Sequence, residues 1–186
     1  QFLDLLWPFF LLMGMEHARI DPKATVLTPL DFNDYPISHS LFAVVAWAIV
    51  VGWMSYGVSR DKKRALILGG LVTSHWFLDL LVHRRDLPLT VAGGPKLGLG
   101  LWNIPWAAIS LEALLFIGGF YLYLKSTKSN DKIGKFGPYI LAATLVAIWL
   151  GNFFGPLPPT MKAVAWAGNL LWLFVFWAYR LDKHRT

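Results

Sequence analysis

Long apolar runs alternate with short polar segments along the whole chain. Most of the runs approach the roughly 20 residues that an α-helix needs to cross the hydrocarbon core of a bilayer. The first run is short for a span, but it lacks the basic region and the cleavage site of a signal peptide. We interpret it as a first transmembrane helix whose beginning is expected to lie before Gln1. The pattern predicts six transmembrane helices, at about residues 2–15, 38–58, 65–83, 104–124, 138–154 and 161–179.

The composition agrees with a membrane protein rather than a soluble domain. Of the 186 residues, 56% are hydrophobic and only 15% are charged, and the mean hydropathy is +0.50. We therefore expect an all-α, polytopic membrane protein whose six helices form one domain over residues 1–186. The chain has no cysteine, which excludes disulfides and thiolate metal sites.

The basic residues predict how the helices are oriented. The formal net charge is +6, and eleven of the seventeen lysines and arginines fall in three segments on one side of a six-helix count. These segments are Arg60–Arg64, Lys125–Lys135 and Arg180–Arg185. The positive-inside rule places that side, and both termini, in the cytoplasm. It explains the charge without nucleic acid, so the lipid bilayer is the expected partner.

A polar stripe interrupts the third predicted span. His75, Asp79 and His83 are spaced at i, i+4 and i+8, and on an α-helix they drift only about 40° per step. The stripe therefore climbs one helix face over roughly 12 Å. Because this span runs outward, we expect His83 at the outer surface rim and Asp79 and His75 progressively deeper.

The same topology brings further ionisable residues to the outer leaflet. Ionisable side chains within membrane spans are costly and usually face the bundle interior, where they have a functional partner. Imidazole and carboxylate groups are ligands of Zn²⁺, Mn²⁺ and Fe²⁺. We predict a divalent metal site between helices, with His39, His75 and Asp79 at its centre, although hydrogen bonding between helices would also explain these residues. The further candidate ligands are His83, Glu112 and His17, and less strongly Asp31 and Asp34.

Two short motifs resemble a known family. Ser38-His39-Ser40 heads the second span, and His75 and Asp79 form a His-x₃-Asp motif in the third. This pair resembles the Thr-His-Ser and His-x₃-Asp motifs of the inner-membrane metal-dependent hydrolases of the LexA-binding type. Pro36-Ile37 stand where that family often has Arg-Gly. The resemblance implies metal binding by His39, His75 and Asp79, hydrolysis of a phosphoester or a lipid-like ester, and a location in the bacterial inner membrane.

A second resemblance, to the lipid phosphate phosphatase superfamily, implies a different use of the same residues. Pro36-Ile37-Ser38-His39 is similar to its Pro-Ser-Gly-His motif, and His75 and Asp79 are similar to the end of its Ser-Arg-x₅-His-x₃-Asp motif. His75 would then be the nucleophile, Asp79 its orienting carboxylate and His39 the general acid, without a metal. Leu68-Gly69 replace the Ser-Arg of that motif, so the cation that would stabilise a phosphoryl transition state is missing there. We rank this hypothesis second.

A third hypothesis is not enzymatic. A small, Trp-rich membrane protein would also suit an accessory subunit of a larger membrane complex. Its polar cluster would then form hydrogen bonds between helices or hold a cofactor of the complex through histidine. Partner subunits would be expected in that case, and a catalytic metal would not.

Overall fold

The computed structural model describes all 186 residues and is mostly helical. It contains five helical segments that are long and apolar enough to cross a membrane. This confirms the expectation of an integral membrane protein built from helices. The segments are Leu41–Ser59, Lys62–Val82, Pro105–Ser126, Lys132–Phe154 and Met161–Asp182.

The structure has eight α-helices and two short β-ribbons. The helices are α1 (Phe2–Leu12), α2 (Pro36–His39), α3 (Leu41–Ser59), α4 (Lys62–Val82), α5 (Pro105–Ser126), α6 (Lys132–Phe154), α7 (Met161–Asn169) and α8 (Leu171–Asp182). Strands β1 (His17–Ile20) and β2 (Leu30–Asp34) pair antiparallel, as do β3 (Leu87–Pro88) and β4 (Lys96–Leu97). The chain divides into one unit of Gln1–Ile104 with Pro158–Asn169 and a second unit of Pro105–Leu157 with Leu170–Thr186.

The first of the six predicted spans is shorter in the structure than the sequence indicated. Helix α1 has 11 residues, which at 1.5 Å per residue gives a length of about 16 Å. The chain turns away from the helix at Gly14, whose φ of +68° favours glycine. Five segments therefore have the length that a bilayer requires, and α1 is a shorter apolar helix.

Helices α3 and α4 form the central hairpin of the first unit. A Cβ on Gly69 would lie 3.0 Å from the Ala48 carbonyl oxygen, and one on Gly52 would lie 3.2 Å from that of Ala65. These glycines let the two backbones approach closely, as small residues do between membrane helices. Because the helices are antiparallel neighbours, the start of α3 lies beside the end of α4.

Helix α1 packs against α7 in the same unit. Leu3, Trp7 and Pro8 form its buried face, and a Cβ added to Gly168 would lie 2.9 Å from Cβ of Pro8. Ala165 of α7 is also buried. This close contact fixes the position of α1 and of every side chain that it presents to α4.

The ribbon of β1 and β2 lies between the first two predicted spans. His17 pairs with Asp34, and Arg19 pairs with Asp31. Nε of Arg19 lies 2.5 Å from Oδ2 of Asp31. These strands have only four and five residues. They are too short to show a clear alternation of apolar and polar residues in the sequence.

In the second unit, the loop before α6 is tied to the C-terminal segment. The side chain of Asp131 accepts the Gly134 N–H at 2.8 Å and contacts Nδ1 of His184 at 2.5 Å. These two interactions lower the pKa of Asp131 below its usual value. Nη1 of Arg185 donates to the Gly134 carbonyl oxygen. His184 therefore serves a structural contact here, outside the predicted site.

Replacing Ser40 by Ala is expected to lower the free energy of unfolding by about 1 kcal/mol, the usual cost of losing an N-cap. The fully buried Ser40 hydroxyl accepts the Ala43 N–H at the start of α3, where water cannot replace it. Thr160→Ala is the matched control, since Thr160 caps Ala163 at an exposed site. Thermal unfolding in detergent should show the larger loss for Ser40→Ala, and equal losses would contradict the buried cap.

Candidate metal centre

Four side chains from three helices converge in the first unit. Asp4 comes from α1, His39 is the last residue of α2, and His75 and Asp79 lie one turn apart on α4. Oδ1 of Asp4 lies 3.7 Å from Nε2 of His39 and 3.6 Å from Nε2 of His75. Oδ2 of Asp79 lies 3.8 and 3.2 Å from the same two nitrogens. The structure thus brings together His39, His75 and Asp79 and adds Asp4 to them.

Two atoms of this cluster are buried polar atoms without a hydrogen-bond partner. They are Nε2 of His75 and Oδ2 of Asp79. Leaving buried polar groups unsatisfied costs about 1–3 kcal/mol each, so native proteins keep few of them. The two atoms lie 3.2 Å apart, so either a proton on His75 or a bound cation would satisfy both.

The donor set fits a divalent metal ion. Ligand atoms of Asp4, His39 and His75 all lie within 4.8 Å of one another. For bonds of about 2.1 Å, the ligands of a tetrahedral zinc ion lie roughly 3.4 Å apart. The four distances between an imidazole nitrogen and a carboxylate oxygen are 3.2–3.8 Å, and Asp79 lies outside the three-residue group. Two carboxylates would balance the charge of a divalent cation, and two neutral imidazoles would complete a common coordination shell.

The cluster is open on one side. The side chains of His39, His75 and Asp79 are 6, 13 and 11% exposed, whereas that of Asp4 is 45% exposed. Nδ1 of His75 lies 3.1 Å from the backbone nitrogen of Gln1. Asp4 is therefore the most exposed of the four side chains.

A buried carboxylate lies behind His39. Glu16 is fully buried, and it accepts hydrogen bonds from the Ile37 N–H (2.7 Å), the Ser38 N–H (2.8 Å) and the Ser38 hydroxyl (2.7 Å). The Ser38 Oγ also lies 2.6 Å from Nδ1 of His39. Burial raises the pKa of Glu16, and the hydrogen bonds from Ser38 oppose that shift.

His83 belongs to a different cluster from the one predicted. It directly follows the last residue of α4, and its side chain is 5% exposed. Nδ1 of His83 lies 2.9 Å from Oδ1 of Asp86 and 3.3 Å from the Tyr35 hydroxyl, and the ring packs 4.5 Å from Trp102. Burial and the nearby carboxylates of Asp86 and Asp79 raise the pKa of Tyr35 well above its usual value, which keeps the phenol protonated.

The remaining candidate ligands have other partners. Nδ1 of His17 lies 3.1 Å from Oδ2 of Asp34 on the exposed ribbon. Asp31 binds Arg19 and Arg84. Glu112 belongs to the second unit, where Oε2 accepts the indole N–H of Trp149 at 2.6 Å. None of these residues joins Asp4, His39 and His75 in a group of metal-ligating side chains.

Asp4 and Glu16 were not among the predicted functional residues. The signal for Asp4 was present, because it is the one charged residue in the apolar stretch of α1, and such residues are functional candidates. Glu16 gave no local signal, since its partners lie more than 20 positions further along the chain.

The arrangement has the chemistry of a site that binds a cation and exposes it on one side. Metals held by imidazole and carboxylate ligands bind water and polarise carbonyl or phosphoryl oxygens. The ligands come from separate helices, so the site exists only when the first unit is folded. Comparison with protein-family models, curated proteins and solved structures found no match to this chain.

Proposed function

We propose that this protein is a membrane-embedded, metal-dependent hydrolase that acts on a phosphoester or another lipid-like ester. The observation that carries the proposal is the pair of unsatisfied buried atoms on His75 and Asp79, enclosed by Asp4 and His39. The resemblance to the inner-membrane metal-dependent hydrolases supports it, since three of the four residues are those that the resemblance implies. A bound Zn²⁺, Mn²⁺ or Fe²⁺ would supply a water of lowered pKa and polarise the ester oxygen.

The side chains have separate tasks in this proposal. His39, His75 and Asp79 form the buried wall of the site and would hold the cation. The half-exposed Asp4 lies where substrate and water would enter. Its carboxylate would be the ligand that closes the site on that side, because Oδ1 of Asp4 lies 3.7 and 3.6 Å from Nε2 of His39 and His75.

The proposal includes an orientation in the bilayer. In the first unit, the cluster lies at the end of the hairpin where α3 begins and α4 ends. The segment Arg60–Arg64 lies at the other end, between α3 and α4. The positive-inside rule assigns that basic segment and the C-terminus to the cytoplasm. The site would then open on the outer face of the inner membrane, at the depth of the ester bonds of lipids.

The geometry favours this proposal over a metal-independent phosphatase. Asp79 faces His75 through Nε2, and the exposed side of the cluster carries a second carboxylate, Asp4. That carboxylate would repel a phosphate in the absence of a cation. An accessory subunit remains the alternative to test, because buried His and Asp residues also join membrane helices.

Elemental analysis of gently purified full-length protein tests the proposal. We expect about one equivalent of a divalent transition metal in the wild type and none in a His75→Ala/Asp79→Ala double variant. Removing the metal with a chelator should abolish hydrolysis of phosphoester and carboxyl-ester lipid probes, and adding Zn²⁺ or Mn²⁺ back should restore it. Co-purification of metal-free protein with a larger assembly would instead support an accessory subunit. Hydrolysis of a lipid phosphate by metal-free protein would support the phosphatase.

A further inference from the structure

The buried Glu16 carboxylate is more than a cap for a short helix. It accepts the N–H groups of Ile37 and Ser38, which belong to the first turn of α2 and lack partners within that helix. Those two bonds account for one oxygen, Oε1. The second oxygen, Oε2, binds only the Ser38 hydroxyl, and that hydroxyl is the one that contacts His39.

Counting donors assigns the protons in the row of hydrogen bonds that runs from Glu16 through Ser38 to His39. A serine hydroxyl has one proton, and an ionised carboxylate can only accept. When Glu16 is ionised, the Ser38 hydroxyl donates to it, and the Ser38 oxygen then accepts from Nδ1–H of His39. The ring proton of a neutral His39 then lies on Nδ1, and the lone pair lies on Nε2.

That tautomer is the one that the metal centre requires. Nε2 of His39 faces Asp4 and Asp79 at 3.7 and 3.8 Å, so only a ring that is unprotonated at Nε2 could bind a cation there. Metal-ligating histidines usually donate their other N–H to a carboxylate or a carbonyl group, and loss of this partner costs 10- to 100-fold in metal affinity. Here a serine hydroxyl stands between the imidazole and the carboxylate.

We propose that Glu16 and Ser38 are positioning residues that fix the Nδ1–H tautomer and the ring orientation of His39 for metal binding through Nε2. This inference rests on the proposed metal centre. The inference extends the proposed function, because it assigns a role to Glu16, whose side chain does not touch the metal-binding atoms. Glu16, in the turn after α1, thereby links that turn to His39 at the end of α2.

The substitution Glu16→Gln separates this role from helix capping. A glutamine keeps the size of the side chain, and its carbonyl oxygen can still accept the two backbone N–H groups. Its NH₂ group, however, must donate to the Ser38 oxygen. The Ser38 proton would then turn toward His39, which favours the Nε2–H tautomer and places a proton where the metal should bind.

Histidine ¹⁵N NMR on full-length, metal-free protein in detergent tests the tautomer directly. The His39 signals are assigned by their loss in a His39→Gln variant. We expect Nδ1–H in the wild type and a shift toward Nε2–H in Glu16→Gln. Zn²⁺ affinity, measured by competition with a chelator, should fall about 10- to 100-fold in Glu16→Gln. An Nε2–H wild type, or an unchanged tautomer in Glu16→Gln, would overturn the inference.

Three further variants make the result specific. Glu112→Gln is the matched control, because Glu112 also accepts a hydrogen bond but from Trp149 in the second unit, and it should change neither readout. Ser38→Ala retains the two backbone bonds to Glu16 and should leave His39 in a mixture of tautomers, while Ser38→Thr should restore the wild-type state. If the wild type binds no Zn²⁺, the proposed function fails, whereas the tautomers of the wild type and Glu16→Gln still decide the role of Glu16.

Discussion

Replacing Asp4 by Asn is expected to weaken Zn²⁺ binding by about 100-fold or more, the upper end of the range for lost partners of a metal site. The substitution keeps the shape of the side chain but removes one of the two negative charges that would balance the cation. It also replaces a carboxylate ligand by a weaker amide oxygen. Competition with a chelator on purified full-length protein measures this change, which would correspond to about 2.7 kcal/mol of binding free energy.

Asp34→Asn is the control for this experiment. Asp34 is an aspartate of the same unit whose carboxylate contacts His17 on the exposed ribbon. It should leave Zn²⁺ affinity unchanged. Wild-type affinity in Asp4→Asn would show that His39, His75 and Asp79 suffice, and that Asp4 faces the site without binding the metal.

The helices could be predicted from sequence because the bilayer imposes one strong rule. A spanning helix must satisfy its backbone hydrogen bonds internally and present apolar side chains to lipid. Four predicted spans therefore overlap α3, α4, α5 and α6, and the last overlaps α7 and α8. Phe42, Ile49 and Trp53 of α3 are 67, 67 and 75% exposed, which fits a surface covered by lipid.

The elements outside the apolar runs escaped prediction. The ribbon of β1 and β2 is specified by cross-strand pairs such as Arg19 with Asp31, and pairing between distant residues leaves no periodic pattern in the chain. The burial of His83 was missed for the same reason, since it depends on residues that are distant in sequence. Position along α4 indicated a residue at the surface, but Phe32 and Trp102 from flanking segments cover its ring.

Those candidate metal ligands whose proximity follows from helix geometry alone could be predicted from the sequence. His75 and Asp79 lie one turn apart on one helix, and the antiparallel order of two spans brings His39 to their level. The place of Asp4 in the cluster could not be predicted in this way, because it depends on how α1 packs against α7. That packing depends on the contact between Pro8 and Gly168. A contact of that kind is set by shape and cannot be recognised from hydrophobicity.

Replacing Gly98 by Ala is expected to lower the free energy of unfolding by about 3 kcal/mol, at the upper end of the cost of overpacking. A Cβ at this position would overlap the backbone carbonyl groups of His83 and Arg84. Backbone atoms cannot rotate away as a side chain can, so the loop must move. That movement would break the bonds from Leu99 N–H to Leu80 O (2.9 Å) and from Gly100 N–H to His83 O (2.7 Å).

Gly93→Ala is the control that measures the cost of a positive φ alone, without the steric clash expected at Gly98. Gly93 has a φ of +93° with no atom within 4 Å of an added Cβ, so alanine there should cost only about 1–2 kcal/mol, the penalty of a left-handed conformation. Thermal unfolding of both variants in the same detergent compares the two losses. Equal losses would mean that the Gly98 loop does not pack against the end of α4. A larger loss for Gly98→Ala would show that this loop closes the last turn of the helix that carries His75 and Asp79.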